Sequence, residues 1–220
     1  MKERGRLGPL ALALAGVASL ACEPRPAAAP GPTTRHLSRQ DLAVTRGDVT
    51  ARADGRVDVH EPTVRAVARG GSGAVAALRF TYLGPTAARA PLSSGEVRTQ
   101  VGLKLLARDG CNVIYAMWRA GPGGGIHVQA KRNPGRSLSL ECGAEGYATL
   151  RPEAGAPIPP LEVGDHELRA RIEGGRLRVE ADGVVAWEGS VEPFVRGLRG
   201  PAGLRSDNAR FVADLAIDER

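Results

Sequence analysis

The sequence predicts an all-β fold built as a two-sheet antiparallel sandwich, and three observations favour it. Glycine and proline are abundant, with 29 Gly and 16 Pro among 220 residues, a density that interrupts long helices and suits short strands joined by turns. Several segments alternate apolar and polar residues with the period of a strand. Tight-turn signals separate these segments at short, even intervals. One core is expected, because a chain of this length fits a single domain.

The alternation is clearest in the C-terminal half. Gly174-Gly175 and Asp182-Gly183 are tight-turn signals of the kind that join antiparallel strands. They divide a predicted three-stranded meander over Glu167–Ile172, Arg176–Ala181 and Val184–Trp187. A last strand over Arg210–Ile217 is expected to close a sheet beside an early strand.

Five earlier segments are also predicted strands, with less regular alternation. They are Thr63–Ala68, Ala74–Leu83, Val97–Ala107, Asn112–Arg119 and Ile126–Lys131. Arg108-Asp109-Gly110 is a hairpin signal between the third and the fourth. In Ala74–Leu83 the apolar side chains fall on one face, as expected for a strand that covers a core.

A family resemblance follows from the C-terminal pattern. After the hairpin with Asp182-Gly183 come Gly203-Leu204-Arg205-Ser206, interpreted as a turn, and a final strand with Phe211 and Asp214-Leu215. This pattern, which covers about a quarter of the chain, resembles the closing strands of concanavalin A-like lectin/glucanase domains, including laminin-G-like modules. The resemblance implies a jelly-roll sandwich. It does not specify an activity, because unrelated functions share that fold.

Residues 1–21 have the layout of a secretory signal peptide. Lys2, Arg4 and Arg6 precede an apolar run, Leu10–Ala21, that ends in small side chains. The run is shorter than the roughly 20 residues that a membrane span needs. We therefore expect an exported protein, located in the cell envelope at the outer surface or in the periplasm.

Cys22 directly follows this signal. Ser19-Leu20-Ala21-Cys22 resembles the lipobox of bacterial lipoproteins, which implies that Cys22 is the lipid-modified first residue and that the protein contacts the membrane through this lipid only. The lipobox prefers Leu where Ser19 stands, so ordinary cleavage after Ala21 or Ala29 is the alternative. Residues 22–40, rich in Pro and Ala at their start, are expected to form a semi-rigid tether, followed by the sandwich domain over 41–220.

The two remaining cysteines, Cys111 and Cys142, are predicted to form a disulfide, because disulfides persist in the compartments that exported proteins reach. No further Cys or His stands at ligand spacing from them, so a zinc site is not expected. Neither cysteine has the C-x-x-C setting of a redox pair.

No catalytic residue, metal site or cofactor is predicted. The nearest string to a paired-carboxylate motif contains Glu162 and Asp165, which strand alternation would place on opposite faces. The four histidines lack a nucleophile elbow. Calcium would need an oxygen-rich cluster. The Asp residues near 54–58 and Asp207-Asn208 are interpreted instead as turn residues that cap their own backbone.

The charge pattern excludes a nucleic-acid footprint. The formal charge is +6, but basic and acidic residues are interleaved and no basic run with interspersed aromatics occurs. With 3 Phe, 2 Trp and 3 Tyr, the chain offers few stacking side chains. No nucleic-acid partner is therefore predicted.

The candidate ligand site is a polar and aromatic sheet face. Alternation places Tyr115 and Arg119 on one face of their strand, and His127, Gln129 and Lys131 on one face of the next. If the strands are neighbours, these five side chains share an exposed concave face. An aromatic platform with a few hydrogen-bonding groups is typical of a sugar site, although an ordinary amphipathic sheet would have the same pattern.

Three functions are consistent with the sequence. The first is a non-catalytic binding module for a glycan or another envelope component. The second is a glycoside hydrolase or lyase on a jelly-roll fold, which a pair of buried carboxylates in one cleft would indicate. The third is a structural envelope lipoprotein without a small ligand.

Overall fold

The computed structural model of the protein describes residues 34–218, in which fifteen β-strands account for almost all regular structure. The strands are Thr34–Leu37 (β1), Leu42–Arg46 (β2), Thr50–Ala51 (β3), Val57–Val59 (β4), Thr63–Ala68 (β5), Val75–Pro85 (β6), Gln100–Leu105 (β7), Val113–Arg119 (β8), Gly125–Lys131 (β9), Tyr147–Leu150 (β10), Gly164–Glu173 (β11), Arg176–Ala181 (β12), Val184–Ser190 (β13), Gly203–Asp207 (β14) and Ala209–Asp218 (β15). Two single-turn helices, Ser139–Cys142 (α1) and Glu192–Val195 (α2), and a 3-10 turn, Arg39–Asp41, lie between them.

The strands form two antiparallel sheets that pack as a jelly-roll sandwich, which confirms the predicted fold class. One sheet has eight strands in the order β13-β12-β11-β6-β15-β4-β3, with β1 also paired to β15. The other has seven strands in the order β10-β9-β8-β7-β14-β5-β2. The predicted meander is β11-β12-β13, and the predicted last strand, β15, does pair with the early strands β1, β4 and β6.

The core lies between the two sheets and is filled by the inward side chains of both. Phe80 of the eight-stranded sheet meets Trp118 of the seven-stranded sheet edge-on, with ring centroids 6.4 Å apart. Trp118 is buried, and its Nε1 donates to the carbonyl oxygen of Pro159 across 3.0 Å. The alternation that the sequence shows in β6 is therefore the alternation between core and solvent.

The sandwich begins earlier in the chain than residue 41. Residues Thr34–Leu37, which the sequence assigns to the tether, pair with the end of β15, and Leu37 is buried in the core. Ser38 then starts the 3-10 turn, since its backbone nitrogen and its Oγ both donate to Asp41. The predicted signal peptide, Cys22 and the first part of the tether lie outside the described residues.

The segment Gly203-Leu204-Arg205-Ser206 is a strand, not the turn that the sequence predicts. It belongs to β14, is buried along its length and pairs with both β5 and β7. The turn comes later, at Asn208, whose φ of 54° allows β14 to lead directly into β15 in the opposite sheet. Charged and polar residues in β14 obscured the strand pattern, because this strand has polar groups buried on its outer face.

Cys111 and Cys142 form the predicted disulfide, with the two Cα atoms 5.9 Å apart. The bond joins the start of β8 to α1, and both cysteines are buried. It therefore fixes the 112–141 segment, which carries β8 and β9. Within residues 34–218, no helix combines the length and the apolar character needed to cross a membrane.

Candidate functional site

The outer face of the seven-stranded sheet carries a cluster of polar and aromatic side chains. Its composition follows from the register of the neighbouring strands. Lys104 lies opposite Tyr115, which lies opposite Gln129. One step further along the strands, Gly102 lies opposite Met117 on one side and Arg205 on the other.

The five residues predicted as a ligand face do lie on this one face. Strands β8 and β9 are neighbours, and Tyr115 and Gln129 are directly paired. The face is less exposed than the sequence suggests, because Tyr115 and Lys131 are buried. Arg119, His127 and Gln129 are half-buried. The difference arises because Tyr147 and Arg205 lie against the Tyr115 ring. The ammonium group of Lys131 is bound by a backbone carbonyl group.

Two tyrosines form the aromatic part of the face. The rings of Tyr115 and Tyr147 are nearly parallel, at 20°, with centroids 6.1 Å apart. The guanidinium carbon of Arg205 lies 4.6 Å from the Tyr115 ring centroid, and the ammonium nitrogen of Lys131 lies 5.0 Å from that of Tyr147. Both are cation–π distances. Tyr147, at the β10 edge, is 37% exposed, so this end of the face is open to solvent.

Lys131 is fixed by the backbone as well as by Tyr147. Its Nζ donates to the carbonyl oxygen of Gly143 across 2.8 Å and to that of Gly110 across 3.4 Å. Gly143 follows the helix that carries Cys142, and Gly110 precedes Cys111. The disulfide therefore holds in place the two carbonyl groups that bind the Lys131 ammonium group.

A buried ion network crosses the centre of the face. Asp207 receives hydrogen bonds from Nε of Arg205 at 2.9 Å, from Nη2 of Arg65 and from Nε2 of Gln100 at 2.7 Å. Arg119 extends this network, since its Nε donates to Oε1 of Gln100 across 3.2 Å. Burial alone would raise the pKa of Asp207, but Arg205 and Arg65 lower it overall.

Lys104 is the exception to this pairing. Its side chain is 5% exposed, yet no hydrogen bond or ion pair joins it to another of residues 34–218. Burial, together with the nearby positive charges of Arg65 and Arg205, lowers the pKa of Lys104 from 10.5 to about 8. The described strands of this face thus carry five buried or half-buried cations, Arg65, Lys104, Arg119, Lys131 and Arg205, and a single carboxylate, Asp207.

His127 lies at the other end of the predicted set, beside Met117. Its Nε2 is 3.2 Å from the carbonyl oxygen of Gly123, and burial together with the charge of Arg119 lowers the pKa of its ring. Gly102 allows this part of the face to pack, because a Cβ there would stand 2.7 Å from the sulfur of Met117. The middle of the face is therefore occupied by an apolar side chain between two polar regions.

Sequence reasoning missed five residues of this face. They are Arg65, Lys104, Tyr147, Arg205 and Asp207. Three of them lie on strands that were predicted wrongly or not at all, β10 and β14. The available signal was the position of Arg205 and Asp207 two residues apart. In a strand, residues with this spacing lie on the same face.

The outer face of the eight-stranded sheet is charged in a different way. A depression of about 700 Å³ there is lined by alternating Arg and Glu side chains. These charges are paired, between neighbouring strands in Arg79 with Glu167 at 2.9 Å and along one strand in Arg178 with Glu180 at 2.9 Å. Asp165, which the sequence offered with Glu162 as the nearest match to a paired-carboxylate motif, accepts a hydrogen bond from Thr81 on this side of the sandwich. Paired, exposed charges of this kind are typical of a solvated face.

The described residues contain no cluster of three or more His, Cys, Asp or Glu side chains that could hold a metal ion. Asp54 is bound by Arg56 across 2.7 Å, and Asp207 by the two arginines. Asn208 does not cap its own backbone as expected. Its side chain joins the loop before β7, where it bonds to the backbone of Ala90 and Arg98.

Comparison with solved structures finds the same fold in other proteins. The carbohydrate-binding module CBM66 from Bacillus subtilis superimposes with a TM-score of 0.57 at 14% identity, over 82% of this chain and 96% of the module. The GH43 protein BlXynB from Bacillus licheniformis gives 0.50 at 16% identity, over 84% of this chain and 38% of that protein. These likenesses show the fold. No protein-family model and no curated protein sequence matches the chain significantly.

Proposed function

We propose that the protein is a non-catalytic glycan-binding module of the cell envelope, and that it binds its ligand on the outer face of the seven-stranded sheet. The observation that carries the proposal is the pair of parallel rings of Tyr115 and Tyr147, bordered by Arg205 and Lys131. Sugar rings stack on aromatic side chains through their apolar faces, while fixed polar groups bond to the hydroxyls.

The polar groups around the two rings are held in place before any ligand arrives. Arg205 bonds to both Asp207 and the hydroxyl group of Tyr147, at 2.9 and 3.2 Å. Gln129 approaches Thr149 at 3.4 Å across the β9–β10 pair. Binding then costs little side-chain entropy, because the recognition groups are already ordered. The superposition with a carbohydrate-binding module over nearly its whole length supports the same proposal.

The small number of carboxylates on the described strands of this face favours binding over hydrolysis. Hydrolysis by the common mechanism needs two carboxyl groups that flank the scissile bond. On the described strands of this face the one carboxylate is Asp207, and its oxygens already accept hydrogen bonds from three side chains. An enzyme would need a second carboxylate here.

Affinity electrophoresis in gels with soluble polysaccharides, preceded by a glycan array to select them, tests the proposal. We expect Tyr147→Ala to weaken binding about tenfold or more, since exposed aromatic anchors dominate such sites. Tyr147→Phe should retain most of the affinity, because it keeps the ring. Val184→Ala, a half-exposed apolar residue on the eight-stranded sheet, is the matched control. A protein that no polysaccharide or array glycan retains would contradict the proposal.

We further propose that the protein is exported and anchored through a lipid on Cys22. A disulfide between Cys111 and Cys142 is typical of exported proteins, and the signal-like segment before Cys22 supports the same route. Mass spectrometry of the mature N-terminus is the test. A diacylglyceryl mass on Cys22 supports the anchor, and an unmodified Cys22 at the N-terminus, or a free N-terminus at Glu23 or later, would refute it.

A further inference from the structure

Two buried cations on the seven-stranded sheet have donor groups that no described residue uses. Lys104 has no hydrogen bond or ion pair among residues 34–218, and Nη2 of Arg205 has none either, although its Nε and Nη1 do. Both side chains are 5% exposed. A buried cation without an acceptor is costly. Nζ of Lys104 and Nη2 of Arg205 both keep some contact with solvent, so an anion from solution can reach them.

The sheet brings these two cations to one place. Lys104 on β7 stands opposite Gly203 on β14, and Arg205 on β14 stands opposite Gly102 on β7. Because both opposing residues are glycines, no side chain from either position separates the two cations. Diagonal neighbours of this kind lie within reach of long side chains. The electrostatic influence of Arg205 on Lys104 is consistent with such proximity.

The carboxylates nearest to this pair are already engaged. Asp207 accepts from Arg65, Arg205 and Gln100. Asp109, at the end of the face, accepts from the backbone nitrogen of Cys111 at 2.8 Å and from Asn112 at 2.9 Å. Neither is hydrogen-bonded to Lys104. The protein itself thus leaves an excess of positive charge beside the two tyrosine rings.

We infer that the glycan is acidic, and that an anionic group of a sugar unit binds between Lys104 and Arg205 while the sugar ring lies against the exposed ring of Tyr147. This inference rests on the proposed function and names the class of ligand. The chemistry required is an oxyanion, a carboxylate or a sulfate, which both an ammonium and a guanidinium group bind. The exposed end of the face at Tyr147 provides the approach.

The test compares retention of the purified protein in gels containing polygalacturonate, dextran sulfate or uncharged dextran and β-glucan. We expect retention by at least one acidic polymer and weaker or no retention by the neutral ones. The two acidic polymers distinguish a carboxylate from a sulfate. Equal retention by neutral polymers would overturn the acidic ligand and leave the proposed function standing. No retention by any polymer or by array glycans would overturn both.

Variants exclude simple ion exchange. Lys104→Met removes the charge and keeps the length of the side chain, and we expect it to weaken binding to the acidic polymer about tenfold, as for one charge-assisted hydrogen bond. Arg178→Met removes one charge from the opposite, eight-stranded sheet and should leave binding unchanged. An equal loss in both variants would overturn the site. A thermal midpoint of Lys104→Met at or above that of the parent protein shows that the variant is folded, as expected when an unpaired buried charge is removed.

Discussion

Arg205 and Asp207 lie two residues apart on the same face of strand β14, and Nε of Arg205 donates to Oδ2 of Asp207 across 2.9 Å. Arg65, on the neighbouring strand β5, bonds to the other oxygen. Both charges of the Arg205 pair are almost fully removed from water. The pair therefore matters for stability as well as for the charge of the ligand face.

Asp207→Asn should lower the free energy of unfolding by about 3 kcal/mol or more, because it leaves two buried guanidinium groups without their anion. Urea denaturation measures this change. Asp54→Asn is the control, since Asp54 forms an exposed ion pair whose loss should cost less than about 1 kcal/mol. Similar effects in the two variants would show that the buried network contributes no special stability.

Acid should act through the same residue. The pKa of Asp207 is lowered in the folded protein by Arg205 and Arg65 against the effect of burial. Its contribution to stability is therefore complete above the unfolded pKa, near 4, and is lost as the pH falls through the lower folded value. We expect the parent protein to lose more stability below pH 4 than Asp207→Asn does. Denaturation curves between pH 2 and pH 6 would show parallel losses if Asp207 were not responsible.

The disulfide should stabilise the fold by about 3 to 4 kcal/mol, as expected for a closed loop of its size in the chain-entropy model. Replacing Cys111 and Cys142 together by serine should lower the thermal midpoint. Reductant should lower the midpoint of the parent protein and leave that of the double variant unchanged. Because Lys131 bonds to carbonyl groups beside both cysteines, ligand affinity should also fall in the double variant. Unchanged stability would contradict a bracing role.

Alkaline pH should weaken binding to an acidic glycan. In the free protein the pKa of Lys104 is lowered to about 8, so the side chain loses its charge as the pH rises from 7 to 9. The charged and titratable groups around it are Arg65, Tyr115, Lys131, Arg205, Asp207 and Asp109. The arginines stay charged over this range. Affinity electrophoresis at pH 7, 8 and 9 should show a steeper decline in the parent protein than in Lys104→Met, in which only other groups of the face, such as Lys131, can still titrate.

The free energy of unfolding of the ligand-free protein should increase at alkaline pH, where ligand binding weakens. A lysine whose folded pKa lies below its unfolded value binds fewer protons in the folded state, so the free energy of unfolding should increase between about pH 8 and pH 10. Lys104→Met should show a smaller increase, because burial also lowers the pKa of Lys131. The free energy of unfolding of both proteins is measured over that range. If it does not increase more in the parent protein than in Lys104→Met, Lys104 is not a buried and unpaired cation.

The parts of the fold that the sequence predicts are those where one face is apolar and the other polar. Strand β6 alternates cleanly between core and solvent, and so do β11 and β12. Strand β14 has buried residues on both faces, with Arg205 and Asp207 on one side. Its polar residues resemble a turn until their partners on β5 and β7 are known, and those partners lie more than 90 residues away along the chain.

Only the residues of the candidate site that lie on strands consecutive in the sequence could be predicted. Tyr115 and Gln129 lie on consecutive strands joined by a short turn, so their pairing follows from the sequence. Tyr147 comes from an edge strand of four residues with weak alternation. Lys104 was assigned to a strand, but its isolation from any carboxylate depends on the register with Gly203. Long-range register of this kind has no local sequence signal.

The pairing of the first strand with the last has a consequence for how the domain can be connected. Thr34 is the register partner of Asp218, so the two ends of the described chain are separated by about 5 Å, the spacing of adjacent strands. Adjacent ends are the arrangement that tolerates circular permutation and insertion into a host loop. A tether that enters at Thr34 and any cargo fused after Asp218 would meet at one point on the eight-stranded sheet, and the tyrosine-bearing face of the opposite sheet would remain unobstructed.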